Sequence, residues 1–269
     1  MTCMIRKAML LFFCLTYIHT VTATLEVIIL AAGRSSRFDG ELSKLLTPIN
    51  GKEIVLYPVS AAVALNLPLT VVVGHQKEDI INLISKTYAQ TAINFAVQEK
   101  QLGTGHALQC TQKFWQADDI LIINGDHPLT TPALLQTFIE QHYASNASMS
   151  ILTAYADASC NYGRIVQESG ITRIVEAVDF QKNPDDYPLV NAGFYIIKRS
   201  FLEEHINKLW LHTNKNEYYI TDLIEIAARE HLSVNLVPAA FDDVYGVNTV
   251  TEFQHAQKLL EQQSDESAI

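Results

Sequence analysis

The chain has 269 residues, a formal net charge of −10 and a hydrophobic fraction of 48%, a size that holds one large α/β domain with room for a small appendage. A pI near 5.3 with no Lys/Arg-rich run excludes a nucleic-acid surface, although a small anionic ligand needs only a local basic patch. The four cysteines show no C-x-x-C pairing and the nine histidines no H-x₃-H or H-E-x-x-H spacing, so a zinc site of those kinds is excluded and a reducing compartment fits.

Residues 1–24 stand apart. Arg6 and Lys7 precede an apolar run from Ala8 to Ile18, and Val21-Thr22-Ala23 imitates a small-residue cleavage site. The run is too short for a stable membrane span.

Leu25 to Leu30 is a short apolar run rich in β-branched residues, which reads as a strand buried on both faces. It stops at Ala31-Ala32-Gly33, whose small side chains let a ligand reach backbone N–H groups, and Arg34, Arg37 and Lys44 follow. Cations beyond the carboxyl end of a buried strand mark a place for phosphates in an open α/β sheet. The loop lacks the G-K-[S/T] ending of a P-loop, and Ser35 stands where G-x-G-x-x-G needs its second glycine, so neither of those loops is present.

Thr47 to Lys52 reads as a turn, Glu53 to Asn66 as a helix, Leu69 to Val73 as a second buried strand, and Gln76 to Lys86 as an amphipathic helix. A third strand at Phe95 to Val97, a helix from near Gly105 and a fourth strand at Ile120 to Ile123 continue the alternation of a parallel sheet with right-handed crossovers. Short strands then follow closely at Met149 to Ala154, Gly163 to Gln167, Ile171 to Glu176 and Asn191 to Lys198, a mixed sheet over a sugar-sized pocket. Gln181 to Tyr187 reads as an exposed loop. Helices at Phe201 to Lys208 and Ile220 to Glu230, a strand at Val234 to Val237 and a terminal helix to about Gln262 close a domain over 25–263, leaving 264–269 as a disordered tail.

Two segments suit a nucleotide. In Gln98 to Ala107, two glycines around Thr104 permit tight turns beside a glutamine amide that both donates and accepts, matching a pyrimidine edge; by itself Thr104 reads equally as a helix cap. In Asn124-Gly125-Asp126-His127-Pro128-Leu129, a carboxylate at a strand's carboxyl end suits a hard cation such as Mg²⁺, and taken alone reads equally as a helix cap.

Leu30 to Phe38 followed by Lys44 resembles L-A-A-G-x-G-T-R-M plus lysine, the signature of nucleotidyltransferases that join a nucleoside triphosphate to a phosphorylated acceptor. The G-D-x-P-L pattern at Gly125, Y-G-R-I at Tyr162, I-V-E at Ile174, N-x-G at Asn191, E-Y-Y-x-T-D at Glu217 and G-V-N at Gly246 follow in order. Together they resemble the N-acetylglucosamine-1-phosphate uridylyltransferases, the N-terminal pyrophosphorylase half of the bifunctional UDP-N-acetylglucosamine-synthesising enzymes, over about residues 25 to 260.

The resemblance implies a Rossmann-like α/β fold: a mostly parallel central sheet, helices on both faces, and a smaller mixed-sheet region for the acceptor. It implies UTP and a sugar 1-phosphate as substrates, N-acetylglucosamine 1-phosphate first among them, and Mg²⁺ held by Asp126 and Asn248. It gives catalytic roles to Arg37, Lys44 and Asp126, and places Leu30, Ala31, Ala32, Gly33, Gln98, Gly103, Thr104, Asn124 and Gly125 around the nucleotide. Gly163, Glu176 and Asn191 would hold the sugar's hydroxyl and amide groups, with Tyr219 and Thr221 near its phosphate. Asp126 and Asn248 must therefore meet across the chain.

The departures are Ser35-Ser36 for Gly-Thr, Ser43 for the proline before the lysine, and Ala177-Val178 for polar residues. Arg34 to Leu46 also resembles molybdenum-cofactor cytidylyltransferases, so transfer of CMP to another acceptor stays open, as does a nucleotide-sugar binding module without turnover. A triphosphate-using site belongs in the cytoplasm, and residues 1–24 are read as an overextended or non-functional leader in preference to an export signal. No oligomeric state is readable.

Overall fold

The computed structural model describes residues 24–33 and 43–266, with side chains as far as 263. The expectations for the leader up to residue 23, for Arg37 and its neighbours, and for 267–269 lie outside the described residues.

In chain order the elements are β1 (Leu25–Ala31), β2 (Pro48–Ile49), β3 (Lys52–Glu53), α1 (Leu56–Ala64), β4 (Leu69–Val73), α2 (Lys77–Thr87) and β5 (Ile93–Val97). Then come α3 (Gly103–Gln109), β6 (Asp119–Asn124), α4 (Pro132–Ser145), β7 (Met149–Tyr155), β8 (Arg164–Glu168) and β9 (Ile171–Val175). The chain closes with β10 (Leu189–Lys198), α5 (Arg199–His205), α6 (Asp222–Arg229), β11 (Val234–Pro238) and α7 (Val250–Glu266).

The described residues form one nine-stranded sheet in the order β11-β7-β10-β6-β1-β4-β5, with β8 pairing β10 and β9. Strands β5, β4, β1 and β6 are mutually parallel, whereas β10 runs antiparallel to β6 and β7. The mixed half thus continues the parallel half through β10. Side chains alternate along each central strand: Val27 and Ile29 of β1 join Leu121 and Ile123 of β6 in one core, while Ile28 joins Ile120 and Ile122 in the other. Helices α1, α2, α4 and α7 supply the first core, and α3, α5 and α6 the second. A strand covered on both faces is apolar along most of its length, which is why β1 and β4 read as nearly continuous runs, broken by the buried Glu26 and Thr70 near their starts.

Three segments differ from the reading of the sequence. The turn at 47–52 is a hairpin of β2 and β3 whose Asn50 and Gly51 both take the left-handed conformation, the Asn-Gly turn that matches strand twist. Helix α4 was not anticipated as an element, although Thr131 caps it by accepting the Leu134 N–H at 3.1 Å and Pro132 opens it. Helix α7 runs through Glu266, so residues 264–266 are helical instead of belonging to a disordered tail.

From β1 the chain moves outward to β4 and β5, and then returns to β6 on the other flank of β1. That reversal opens a crevice beyond the carboxyl ends of β1 and β6, where Leu30 pairs in register with Asn124.

Candidate active site

Lys44 begins a single 3-10 turn whose entry is fixed by Ser43. The Ser43 hydroxyl accepts the Leu45 N–H at 3.3 Å, and the Ser43 N–H donates to the Gln76 side-chain carbonyl at 2.6 Å. Serine in place of the expected proline therefore gains a capping role. From there the Lys44 ammonium donates to Asp126 Oδ2 at 2.6 Å, Asn248 Oδ1 at 2.7 Å and the Val247 carbonyl at 2.7 Å.

Three oxygens from two distant parts of the chain thus converge on one point. Asp126 follows β6, and its backbone carbonyl accepts the Val247 N–H at 2.9 Å, locking the late loop to the early strand. Asn248 is held by the start of α7: its N–H donates to the Glu252 carboxylate at 2.6 Å, while Glu252 N–H donates to the Thr249 hydroxyl at 3.2 Å, a reciprocal arrangement close to a capping box. His127, buried, lies with Nε2 3.6 Å from Asp126 Oδ1 and Nδ1 3.0 Å from the Val244 carbonyl.

Burial disfavours the Asp126 carboxylate, but the Lys44 ammonium and the His127 ring beside it more than offset this, and its pKa falls below the ordinary value. His127 is pushed down by burial, against the opposing pull of Asp126. One carboxylate, one amide oxygen and one carbonyl make an all-oxygen donor set, suited to a hard cation that keeps places for phosphate and water. Among the described residues no group of three or more His, Cys, Asp or Glu side chains is placed to hold a metal ion.

The cavity above this cage has a volume of about 620 Å³ and is lined by Leu30, Ala32, Gly33, Gln98, Gly103, Thr104, Asn124, Glu176 and Tyr219, besides Lys44, Asp126 and Asn248. A smaller compartment of about 170 Å³ adjoins it and shares Asn124, Asp126, Glu176 and Asn248 while adding Gly163 and Asn191. Two expected residues lie beneath the site. Ala31 packs into the core, and Gly125, whose N–H donates to the Leu30 carbonyl at 2.9 Å, sits where a Cβ would come 3.0 Å from that oxygen.

The wall formed by Gln98, Gly103 and Thr104 depends on Gly103, which takes φ +92° and lies where a Cβ would come 2.5 Å from the Tyr218 carbonyl. Gln98 donates through Nε2 to the Gly103 carbonyl at 3.0 Å, and the Gln101 amide donates to the Gln98 carbonyl at 3.0 Å. Thr104 lies inside α3 and accepts the Ile220 N–H at 3.0 Å, so it ties the loop to the strip before α6 instead of capping the helix. Asp126 likewise caps no helix, since Thr131 has that role for α4.

At Glu176, which lines both compartments, the carboxylate accepts the Thr221 hydroxyl at 2.9 Å, and burial raises its pKa. Asn191 uses its amide within the protein: Nδ2 donates to the Tyr195 hydroxyl at 2.7 Å and Oδ1 accepts the Gly193 N–H at 3.1 Å. Sequence reasoning missed the Val247 carbonyl, which no side-chain pattern can mark, and also Asn161, Lys215 and Glu217 on the cavity wall. Glu217 stood within the E-Y-Y segment, so its signal was present.

Residues 27–179 match the family described as MobA-like NTP transferase domain. The bifunctional protein GlmU of Trichlorobacter lovleyi is 37% identical over 241 residues, covering 87% of this chain and 52% of that protein. The GlmU protein of Desulfotalea psychrophila is 31% identical over 243 residues, covering 88% of this chain and 70% of its own. The chain thus spans about half the length of the first of these relatives. In fold, it is similar to UDP-glucose pyrophosphorylase complexed with UDP-glucose, with a TM-score of 0.66 at 18% identity over 90% of this chain and 100% of that one. The inositol-1-phosphate CTP transferase from T. maritima gives a TM-score of 0.67 at 12% identity, over 89% and 96%.

Proposed function

We propose, from the premise that this chain belongs to the MobA-like NTP transferase family, that it transfers UMP from UTP to a sugar 1-phosphate, N-acetylglucosamine 1-phosphate first among the candidates, and releases pyrophosphate. The observation that carries the reading is the convergence of Asp126, Asn248, the Val247 carbonyl and Lys44 at the floor of a cavity with two compartments.

The acceptor phosphate is already ionised at neutral pH, so its oxygen attacks the α-phosphorus directly, the bond to the β-phosphate bridging oxygen breaks, and no general base is needed. The work left to the protein is alignment and charge neutralisation. Gln98, Gly103 and Thr104 form the wall for the base, and Glu176 with the smaller compartment receives the sugar. Asp126, Asn248 and the Val247 carbonyl would hold Mg²⁺, which when bound supplies positive charge and a template for the phosphate oxygens. Lys44 draws on those same three oxygens. Its ammonium, once released from them, is set to pair with the triphosphate, with Arg37 proposed as the second, fork-shaped partner.

The test is a matrix of nucleoside triphosphates against sugar 1-phosphates, read by pyrophosphate release with Mg²⁺ present. Turnover with UTP and N-acetylglucosamine 1-phosphate above all other pairs is expected. Preference for CTP would move the reading to cytidylyl transfer, and no release with any pair would leave a binding module.

A further inference from the structure

We infer that Tyr162 is a positioning residue for the cation cage, a role that rests on the metal-assisted transfer proposed above. Its phenolic oxygen accepts the Gly246 N–H at 2.5 Å and lies 3.4 Å from the Gly246 carbonyl. The next two residues, Val247 and Asn248, supply two of the three cage oxygens. The hydroxyl therefore fixes the backbone from which those oxygens project.

The packing around it is arranged for this contact. The Tyr162 ring stands edge-on to Phe241 at 5.4 Å, and Phe241 edge-on to Tyr245 at 5.5 Å, so apolar contacts aim the ring without using its hydroxyl. At Gly246 a Cβ would come 3.3 Å from the Tyr162 oxygen and 3.1 Å from the His127 ring, which leaves little room for a side chain between the loop and its two supports. His127 steadies the entry to the loop at Val244, and Val247 N–H is held by Asp126. Tyr162 supplies the remaining clamp in the middle.

The same residue lines the smaller compartment together with its neighbours Asn161 and Gly163, and so does Gly246. Tyr162 thus joins the acceptor loop to the cation loop. Groups that orient metal ligands through one intervening bond commonly change metal affinity about 10–100-fold when lost.

Tyr162→Phe removes the hydroxyl and keeps the ring. Mn²⁺ serves as the probe, titrated in the presence of UTP without acceptor and followed by electron paramagnetic resonance. The expected result is a loss of Mn²⁺ affinity of about tenfold, with the KM for the sugar 1-phosphate moved by less than about twofold. Unchanged Mn²⁺ affinity with a raised acceptor KM overturns the inference, since the phenol would then only shape the acceptor loop. Amide hydrogen exchange gives a second reading that holds even if the variant is less stable. Faster exchange confined to 246–248 supports the role, and unaltered exchange there overturns it. Asp126→Ala separates this inference from the reading beneath it: if that variant still binds Mn²⁺, the cage itself is misassigned, whereas loss there and retention in Tyr162→Phe defeats the positioning role alone.

Discussion

Arg164 is buried to 2% exposure with its guanidinium aimed at backbone: it donates to the carbonyls of Asp157 at 2.7 Å, Cys160 at 3.1 Å, Tyr187 at 3.2 Å and Ala156 at 3.5 Å. A fixed fork of donors thereby shapes the loop that presents Asn161 and Gly163 to the smaller compartment. Arg164→Met should cost about 3 kcal/mol in urea unfolding, because the carbonyls lose their donors inside the protein. At the cage, Asp126→Ala should lower kcat by about 10²–10³-fold with the fold intact by circular dichroism, the scale of loss when one preorganised charge is removed from a transition state. Gly193 is a third sensitive point. It takes φ +79°, and a Cβ there would come 2.4 Å from Asn124 Nδ2. Gly193→Ala should therefore displace Asn124 and reduce turnover even though its volume change is small.

Among the elements, α4 is the most direct test of local stability. Thr131→Ala removes the hydroxyl that accepts the Leu134 N–H and should destabilise the protein by about 1 kcal/mol in chemical denaturation, with kcat unaffected. This helix also marks the limit of what the sequence made legible. The central strands were plain because burial on both faces leaves a nearly continuous apolar signature, as in β4, where Thr70 alone breaks it. Helix α4 has a weak amphipathic pattern, with only Leu135, Phe138 and His142 buried along its 14 residues, so little in its apolar spacing marks it. At the site, Asp126 and Asn248 were readable from the segments around them. Their third companion is a main-chain carbonyl and was not. Asn191 was legible as a residue but not as a set of contacts, since the Tyr195 hydroxyl that occupies its amide lies four positions on and on a strand that reads as core.

At the scale of the whole molecule, charge burial links folding to pH. Asp222 is pushed up to about 6 by burial, an effect opposed by the His212 ring, whose Nε2 lies 3.0 Å from the carboxylate. Burial raises Glu176 as well. The native state therefore binds protons more tightly than the unfolded chain at these groups, and the stability they contribute is full at acid pH and lost as pH climbs through the raised pKa. Asp222→Asn should flatten the fall in unfolding free energy between about pH 4 and pH 6, by at most about 3 kcal/mol, as read from urea titrations of both proteins across that window. The reach of Lys44 has a different consequence. Its partners stand 82 and 204 positions further along the chain, so no fragment ending before residue 248 contains the full constellation. Distant pairings are the slow part of chain assembly. During refolding, catalytic competence should emerge as a late event, trailing the recovery of far-ultraviolet ellipticity, and turnover becomes a reporter that the segment around residue 248 has been made and seated.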